Sequence, residues 1–229
     1  MVPDIFSLFK ITKTISVNIN QRIMNINLVH DESESIRRIS SSFPRSFSYS
    51  TLILTRDRKL VVGCRRESFL FSKVKSMKFN QSSLDLAIKY SSFLKNSEIN
   101  SLSSSNKLEI NLNYPSFDEV IFIGGKKKSK NEELIPCIKR EVNEETSIPY
   151  KNLFVYMSRF AIIQSVDSYS KKCYKTILFL ASTDMTFEEI EYNFKPNIEV
   201  ERLKYFNLSS NSIFSILFNE LNYKLNIIK

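Results

Sequence analysis

The sequence predicts an α/β fold in which a mixed sheet lies between helices. Three observations carry that expectation. Short runs rich in β-branched and aromatic residues recur from Phe47 onward. Three later stretches place apolar residues at helical spacing. Strands and helices then alternate without the regular strand–helix–strand rhythm of an all-parallel sheet, which favours a mixed one. At 229 residues the chain can bury a full core and fits one elaborated domain, 1–229, better than two.

Residues 1–46 mix short apolar runs with the acidic Asp31-Glu32-Ser33-Glu34 and then Arg37-Arg38, and read as an irregular or partly stranded N-terminal extension. The core, 47–229, opens with two β-rich runs, Phe47 to Leu54 and Lys59 to Arg65, around the polar Thr55-Arg56-Asp57-Arg58, the pattern of a hairpin. Ser83 to Lys95 carries Leu84, Ile88 and Phe93 at near-helical spacing, with Ser82 or Ser83 as N-cap and a Ser/Asn-rich stretch to Lys107. It reads as a helical insertion over about 75–115. Glu119 to Ile123 is a short apolar strand ending in Gly124-Gly125, followed by a basic loop and a helix from about Glu133 to Thr146. Pro136 falls in that helix's first turn, where its missing N–H is not needed. Leu153 to Gln164 and Cys173 to Ala181 read as strands around a polar turn, and Glu199 to Phe206 as a last strand. A C-terminal helix opened by Ser209 or Ser210 carries Ile213, Leu217, Leu221 and Leu225 on one face. No internal repeat is present.

Composition narrows the class. With 42% hydrophobic and 25% charged residues the chain has the makeup of a soluble globular protein. No run of about 18 uncharged apolar residues occurs, and Asp4, Lys10 and Lys13 interrupt the opening stretch, so no membrane span or secretory leader is expected and a cytoplasmic location is. Cys64, Cys137 and Cys173 are scattered without CxxC spacing, and the single His30 cannot anchor a zinc site, so the cysteines read as reduced packing residues. The net charge of +9, from 33 Lys+Arg against 24 Asp+Glu, points to an anionic partner. A coding bias toward Lys, Asn, Ile and Ser would produce the same excess.

In the helix beginning near Glu133, Glu141, Glu144 and Glu145 stand at i, i+3 and i+4, within roughly 100° of arc. Carboxylates so close repel one another unless a cation neutralises them, and hard divalent ions with oxygen ligands suit that role. Ile135, Ile138 and Val142 would anchor the helix and hold the carboxylates still. Taken alone, these glutamates also fit an ordinary solvated acidic face.

The wider pattern decides between the two. Glu132, seven residues, then Arg140-Glu141-Val142-Asn143-Glu144-Glu145-Thr146-Ser147-Ile148 resembles the Nudix box, Gly-x5-Glu-x7-Arg-Glu-aliphatic-x-Glu-Glu-x-Gly-aliphatic, spanning 125–148 here. Two positions depart from it: six residues rather than five separate Gly125 from Glu132, and Ser147 replaces a glycine. Ser147 must therefore end the helix with a Cβ in place. Beyond the box, Cys64-Arg65-Arg66-Glu67-Ser68-Phe69, the Glu119-to-Gly125 strand and Asn197-Ile198-Glu199-Val200 are similar to the poxvirus mRNA-decapping Nudix enzymes, most of all the smaller of their two paralogues. The likeness runs from about Phe43 to the C-terminus. It implies a Nudix α/β/α sandwich and hydrolysis of capped mRNA to 7-methyl-GDP and 5′-monophosphate RNA with Mg²⁺ or Mn²⁺. A monomer acting in the host cytoplasm, with no DNA specificity, is expected.

The resemblance also implies roles. Glu141 and Glu145 become metal ligands, Glu199 a further ligand, and Glu132 a member of the metal set. Glu144 either shares the metal or orients and deprotonates the attacking water, while Arg140 pairs with a neighbouring carboxylate. A pocket for a cationic, flat cap base needs aromatic faces and a carboxylate for the guanine edge, for which Phe69, Tyr174 and Asp167 are the candidates, with Glu32 as a second carboxylate. Arg65 and Arg66 suit the cap phosphates. Lys126, Lys127, Lys128 and Lys130, with Lys171, Lys172 and Lys175, either track the RNA or are simply solvated. Two rival readings remain at this stage: a Nudix hydrolase of free nucleotides or other small diphosphates, and a capped-RNA-binding module without turnover.

Overall fold

The computed structural model describes residues 9–19, 22–31, 36, 47–106, 117–167, 169 and 171–222. Its centre is a mixed sheet. Strands β1 (Ile11–Ile19), β2 (Arg22–His30), β3 (Ser48–Leu54), β4 (Lys59–Arg65), β5 (Val120–Ile121), β6 (Ile123–Gly125), β7 (Leu153–Asp167), β8 (Cys173–Thr183) and β9 (Val200–Asn207) join in it. The order runs β1-β2-β7-β8-β3-β4, with β9 on the far side of β4. Among the described residues only β3 and β8 pair in parallel; the other pairings are antiparallel.

Side-chain alternation builds a core on each face. Tyr49, Ile53, Val61, Phe160, Ile162, Ile177 and Phe179 point one way, into a layer closed by α4 (Leu134–Thr146) and α5 (Phe187–Asn193). Their neighbours Leu52, Leu54, Leu60, Val62, Ala161, Ile163, Leu178 and Leu180 point the other way, under α6 (Ile213–Asn222). Strands buried on both faces read as continuous apolar runs, which is how they appear in the sequence.

A hairpin fills part of the stretch read as an irregular or partly stranded extension. β2 pairs with β7 from Arg22↔Asp167 to His30↔Arg159, and Asn25 and Asn27 meet Ser16 and Thr14 across β1 at 2.9 Å. The helical insertion also begins earlier than expected. Helices α1 (Phe69–Ser76), α2 (Gln81–Lys89) and α3 (Asn96–Asn106) surround their own small core of Leu70, Phe71, Val74, Leu84, Ala87, Leu94, Ile99 and Leu102. Asn80, not Ser82 or Ser83, caps α2, and Ile88 is exposed. In α6 the capping hydroxyl is that of Ser212, which accepts from the Ser215 N–H at 3.1 Å, and Leu225 lies outside the described residues. Among the described residues no helix is long and apolar enough to cross a membrane.

One feature of the sheet places the site. β3 and β4 pair only at Ile53↔Val61 and Leu54↔Leu60, then diverge. Into the fork enters the segment ahead of α4: β5 pairs with β4, and β6 pairs with β3. Gly124 and Gly125 are thus delivered beneath the glutamate-bearing turns of α4.

Candidate active site

Leu134, Cys137, Ile138 and Val142 form the buried stripe of α4, which fixes the helix against β3 and β6. The glutamates then fall at the edge of that contact rather than on a free face. Glu145 is only 4% exposed, and its Oε2 accepts the Gly124 N–H at 2.8 Å. This approach demands glycine. Gly124 has φ +146°, and a Cβ there would lie 2.2 Å from the Tyr49 carbonyl oxygen, while a Cβ on Gly125 would lie 2.5 Å from Glu141 Cδ. At the other end of the helix Ser147 takes the left-handed conformation (φ 63°, ψ 13°), with its N–H on the Asn143 carbonyl at 2.9 Å. A Cβ in that conformation costs roughly 1 kcal/mol, and Asn143 Nδ2, donating to the Ile148 carbonyl at 3.0 Å, helps hold the turn.

Arg140 organises the loop and three of the carboxylates. Its Nε and Nη2 donate to Glu132 at 2.8 and 3.1 Å, its Nη1 to Glu141 at 2.7 Å and Glu144 at 3.3 Å, and its Nη2 also to the Lys126 carbonyl at 3.0 Å. Glu132 Oε2 additionally accepts the Lys128 N–H at 2.6 Å. Arg140 holds the Glu132 carboxyl below its usual range, and Glu132 in turn raises the guanidinium. Both oxygens of Glu132, expected in the metal set, are engaged in tying the Lys126–Asn131 loop to Arg140. Glu144, exposed, also takes the Lys128 ammonium at 2.7 Å.

The carboxylates nearest the sheet are electrostatically frustrated. Burial first, then the charges of Glu199 and Glu141, push the Glu145 carboxyl up to about 8, against the opposing pull of the Gly124 N–H. Burial likewise raises Glu141, helped by Glu144 and Glu199 and opposed by Arg140. Glu199, from the loop before β9, brings its negative charge close to Glu145. Such a hard-oxygen cluster with one buried member suits a divalent cation chemically. As they stand, however, no three or more His, Cys, Asp or Glu side chains among the described residues are arranged to hold an ion. Glu141 is turned to Arg140 and Glu145 to the Gly124 N–H, so ligation requires Glu141 to rotate.

Beside this cluster a cavity of about 750 Å³ extends from Glu141 and Glu199 to Phe69 and Tyr174. Arg65 also lines it, its guanidinium 3.7 Å from the centroid of the Phe69 ring. The aromatic pair and the acidic cluster, distant in sequence, thus face one space. Glu119 is a residue the sequence reasoning passed over. It lines the same cavity at 5% exposure, accepts the Phe69 N–H at 2.5 Å and, through its carbonyl, the Arg65 N–H at 2.9 Å. A carboxylate opening an apolar strand was the available signal, since it needs a specific partner once buried.

Other expectations are corrected. Asp167 is 1% exposed at the end of β7, outside the cavity lining, and its backbone closes the turn with Lys171 and Lys172. Arg66 donates from Nε to the Asn197 carbonyl at 2.8 Å and does not line the cavity. Lys127 is 6% exposed, its ammonium 5.8 Å from the Tyr49 centroid, and burial lowers its pKa, so it packs under the loop rather than presenting charge to a polymer. Lys126 and Lys128, with Lys127 between them, line the cavity, while Lys130, Lys171, Lys172 and Lys175 are exposed outside that lining. Glu32 lies outside the described residues.

No protein-family model matches the chain. Individual proteins do. Over 215 residues it is 26% identical to mRNA-decapping protein D10 of Fowlpox virus (strain NVSL), covering 92% of this chain and 95% of that protein. To mRNA-decapping protein OPG122 of Vaccinia virus (strain Copenhagen) it is 30% identical over 189 residues, 80% of this chain and 72% of the relative. mRNA-decapping protein OPG121 of the same virus is 26% identical over 181 residues, 76% of this chain and 81% of the relative.

Proposed function

This chain belongs to the family of poxvirus mRNA-decapping proteins, and from that membership we propose that it hydrolyses the 5′ cap of mRNA, releasing 7-methyl-GDP and 5′-monophosphate RNA, on a Nudix fold and with Mg²⁺ or Mn²⁺. The supporting observation is the single cavity that joins the acidic cluster of Glu141 and Glu199 to the aromatic pair Phe69 and Tyr174. A cap presents the matching sequence of groups: a flat cationic base, then phosphates. Its action is placed in the host cytoplasm, where capped messages are.

Phe69 and Tyr174 hold the methylated base by stacking and cation–π attraction, worth roughly 0.5–2 kcal/mol per aromatic face. Arg65, already beside the Phe69 ring, lies within the same cavity and supplies charge-assisted hydrogen bonds to the phosphates. Glu141, Glu145 and Glu199 hold the divalent ions. Held there, divalent ions would supply Lewis-acid chemistry: charge stabilisation at the phosphates and a more acidic water. Glu144 takes the proton of the attacking water on a carboxylate oxygen. Lys128 Nζ donates to Glu144 Oε1 at 2.7 Å in an exposed ion pair beside the cavity. Arg140 keeps Glu132 and Glu144 in register while Glu141 turns from it toward the ions.

The test is incubation with cap-labelled RNA in Mg²⁺, Mn²⁺ or EDTA, with products resolved by thin-layer chromatography. Metal-dependent release of labelled 7-methyl-GDP supports the reading. No release from RNA alongside cleavage of free nucleoside diphosphate derivatives would replace it with small-diphosphate hydrolysis.

A further inference from the structure

Glu199 approaches Glu145 from a loop, the least rigid kind of support for a site residue. The residue two before it repairs this weakness. Asn197 Oδ1 accepts the N–H groups of both Glu199, at 2.9 Å, and Val200, at 2.8 Å, while its Nδ2 donates to the Glu144 carbonyl in α4 at 2.9 Å. Its own N–H donates to the Val200 carbonyl at 2.9 Å, closing a tight turn over Asn197–Val200. Its carbonyl accepts Arg66 Nε at 2.8 Å, and the Arg66 N–H donates to the Glu199 carbonyl at 2.8 Å. Every hydrogen-bonding group of Asn197 is thus used, and together they tie the Glu199 loop to β4's end and to the glutamate helix.

We propose that Asn197 is a positioning residue that fixes the backbone of Glu199 relative to Glu144 and Glu145, so that their carboxylates can turn toward one ion without movement of the loop. The proposal rests on the metal-hydrolase reading of the same site. It follows from the chemistry of the side chain. Both N–H groups of residues 199 and 200 converge on one oxygen, and the carbonyl that anchors the amide nitrogen belongs to a residue of the acidic turn itself. Alanine has neither group. Aspartate retains the acceptor for the two N–H groups but loses the donor to Glu144.

The experiment measures Mn²⁺ binding by isothermal titration calorimetry on the full chain, and the Mn²⁺ concentration for half-maximal decapping, for the wild type, Asn197→Ala and Asn197→Asp. Thermal melting and 7-methyl-GDP binding in EDTA serve as controls for the fold and the cavity. The expected result is a Mn²⁺ affinity at least 10-fold weaker in Asn197→Ala, a matching rise in the half-maximal concentration, and cap-analogue binding within 2-fold of wild type. Asn197→Asp is expected to lie between the two. Unchanged Mn²⁺ affinity in a folded Asn197→Ala would overturn the proposal, as would a loss of turnover rate alone at saturating Mn²⁺. If Asn197→Ala fails to fold, Asn197→Asp decides: Mn²⁺ affinity equal to wild type overturns the tie to Glu144. A wild type that binds no Mn²⁺ would instead overturn the metal reading itself.

Discussion

At the scale of single residues, position in the helix settles less than the partner each carboxylate finds. Glu141, Glu144 and Glu145 are one turn apart, yet one is turned to Arg140, one is exposed and salt-bridged to Lys128, and one is buried against Gly124. Replacing Glu144 by Gln is expected to lower decapping by about 10²–10⁴-fold, the range for removal of a general base, with 7-methyl-GDP binding unchanged; single-turnover rates and fluorescence titration check both. Glu145 predicts a pH dependence. Its carboxyl has an ordinary value of 4.5 and a folded value of about 8. Below 4.5 both folded and unfolded chains are protonated there and the group contributes nothing. Between 4.5 and 8 the unfolded chain gives up the proton that the folded chain keeps, so folding is increasingly penalised as pH rises. Melting in EDTA should therefore fall in temperature from pH 5 to pH 8, and Mn²⁺ should restore it more at pH 8 than at pH 5, because ligation releases the proton. A melting temperature that rises over this interval in EDTA would contradict the assignment. The helical spacing made the acidic face legible in the sequence. Pairings such as Gly124 with Glu145 and Phe69 with Glu119 were not, because they join residues 21 and 50 apart through the folded sheet.

At the scale of elements, the strands around the site were read nearly to their ends and the supporting pieces less well. Runs such as Leu52-Ile53-Leu54 and Leu60-Val61-Val62 are apolar on both faces and announce themselves. The β1–β2 hairpin alternates Asn, Ser and Thr with its apolar residues, and one face carries a polar ladder, so its pattern is diluted. Helix α5 was missed although Thr186 and Glu189 form a full capping box, a signal that precedes only seven helical residues. Phe69, singled out as an aromatic face, turns out also to open α1, where Ser68 caps the helix by accepting the Phe71 N–H at 3.0 Å. Phe69 and the insertion therefore belong to one helical unit, which a boundary near residue 75 divides. The Ser147 departure from the box has a clear structural meaning. Substituting Gly for Ser147 is expected to stabilise the protein by about 0.5–1 kcal/mol, since its left-handed conformation suits glycine. Chemical denaturation measures it, and destabilisation would mean that the Ser147 side chain makes a compensating contact.

At the scale of the whole molecule, the forked sheet accounts for how distant segments share one cavity. α4 supplies Glu141, the loop before β9 supplies Glu199, and α1 and β8 supply Phe69 and Tyr174. The aromatic faces were legible only through family resemblance, because nothing in the local sequence distinguishes them from core residues. The net charge of +9 gains a location in exposed Lys126, Lys130, Lys171 and Lys172. Changing Lys171 and Lys172 together to Glu is expected to weaken binding of a long capped RNA severalfold and to flatten its salt dependence, with little effect on 7-methyl-GDP. Equal affinity for the long RNA in filter binding would show that these lysines are only solvated.

The most direct test of the central claim is anomalous scattering from crystals of the protein grown with Mn²⁺ and 7-methyl-GDP. Manganese is expected within coordination distance of Glu141, Glu145 and Glu199, with the base between Phe69 and Tyr174. Manganese bound elsewhere, or a base seated outside that aromatic pair, would contradict it.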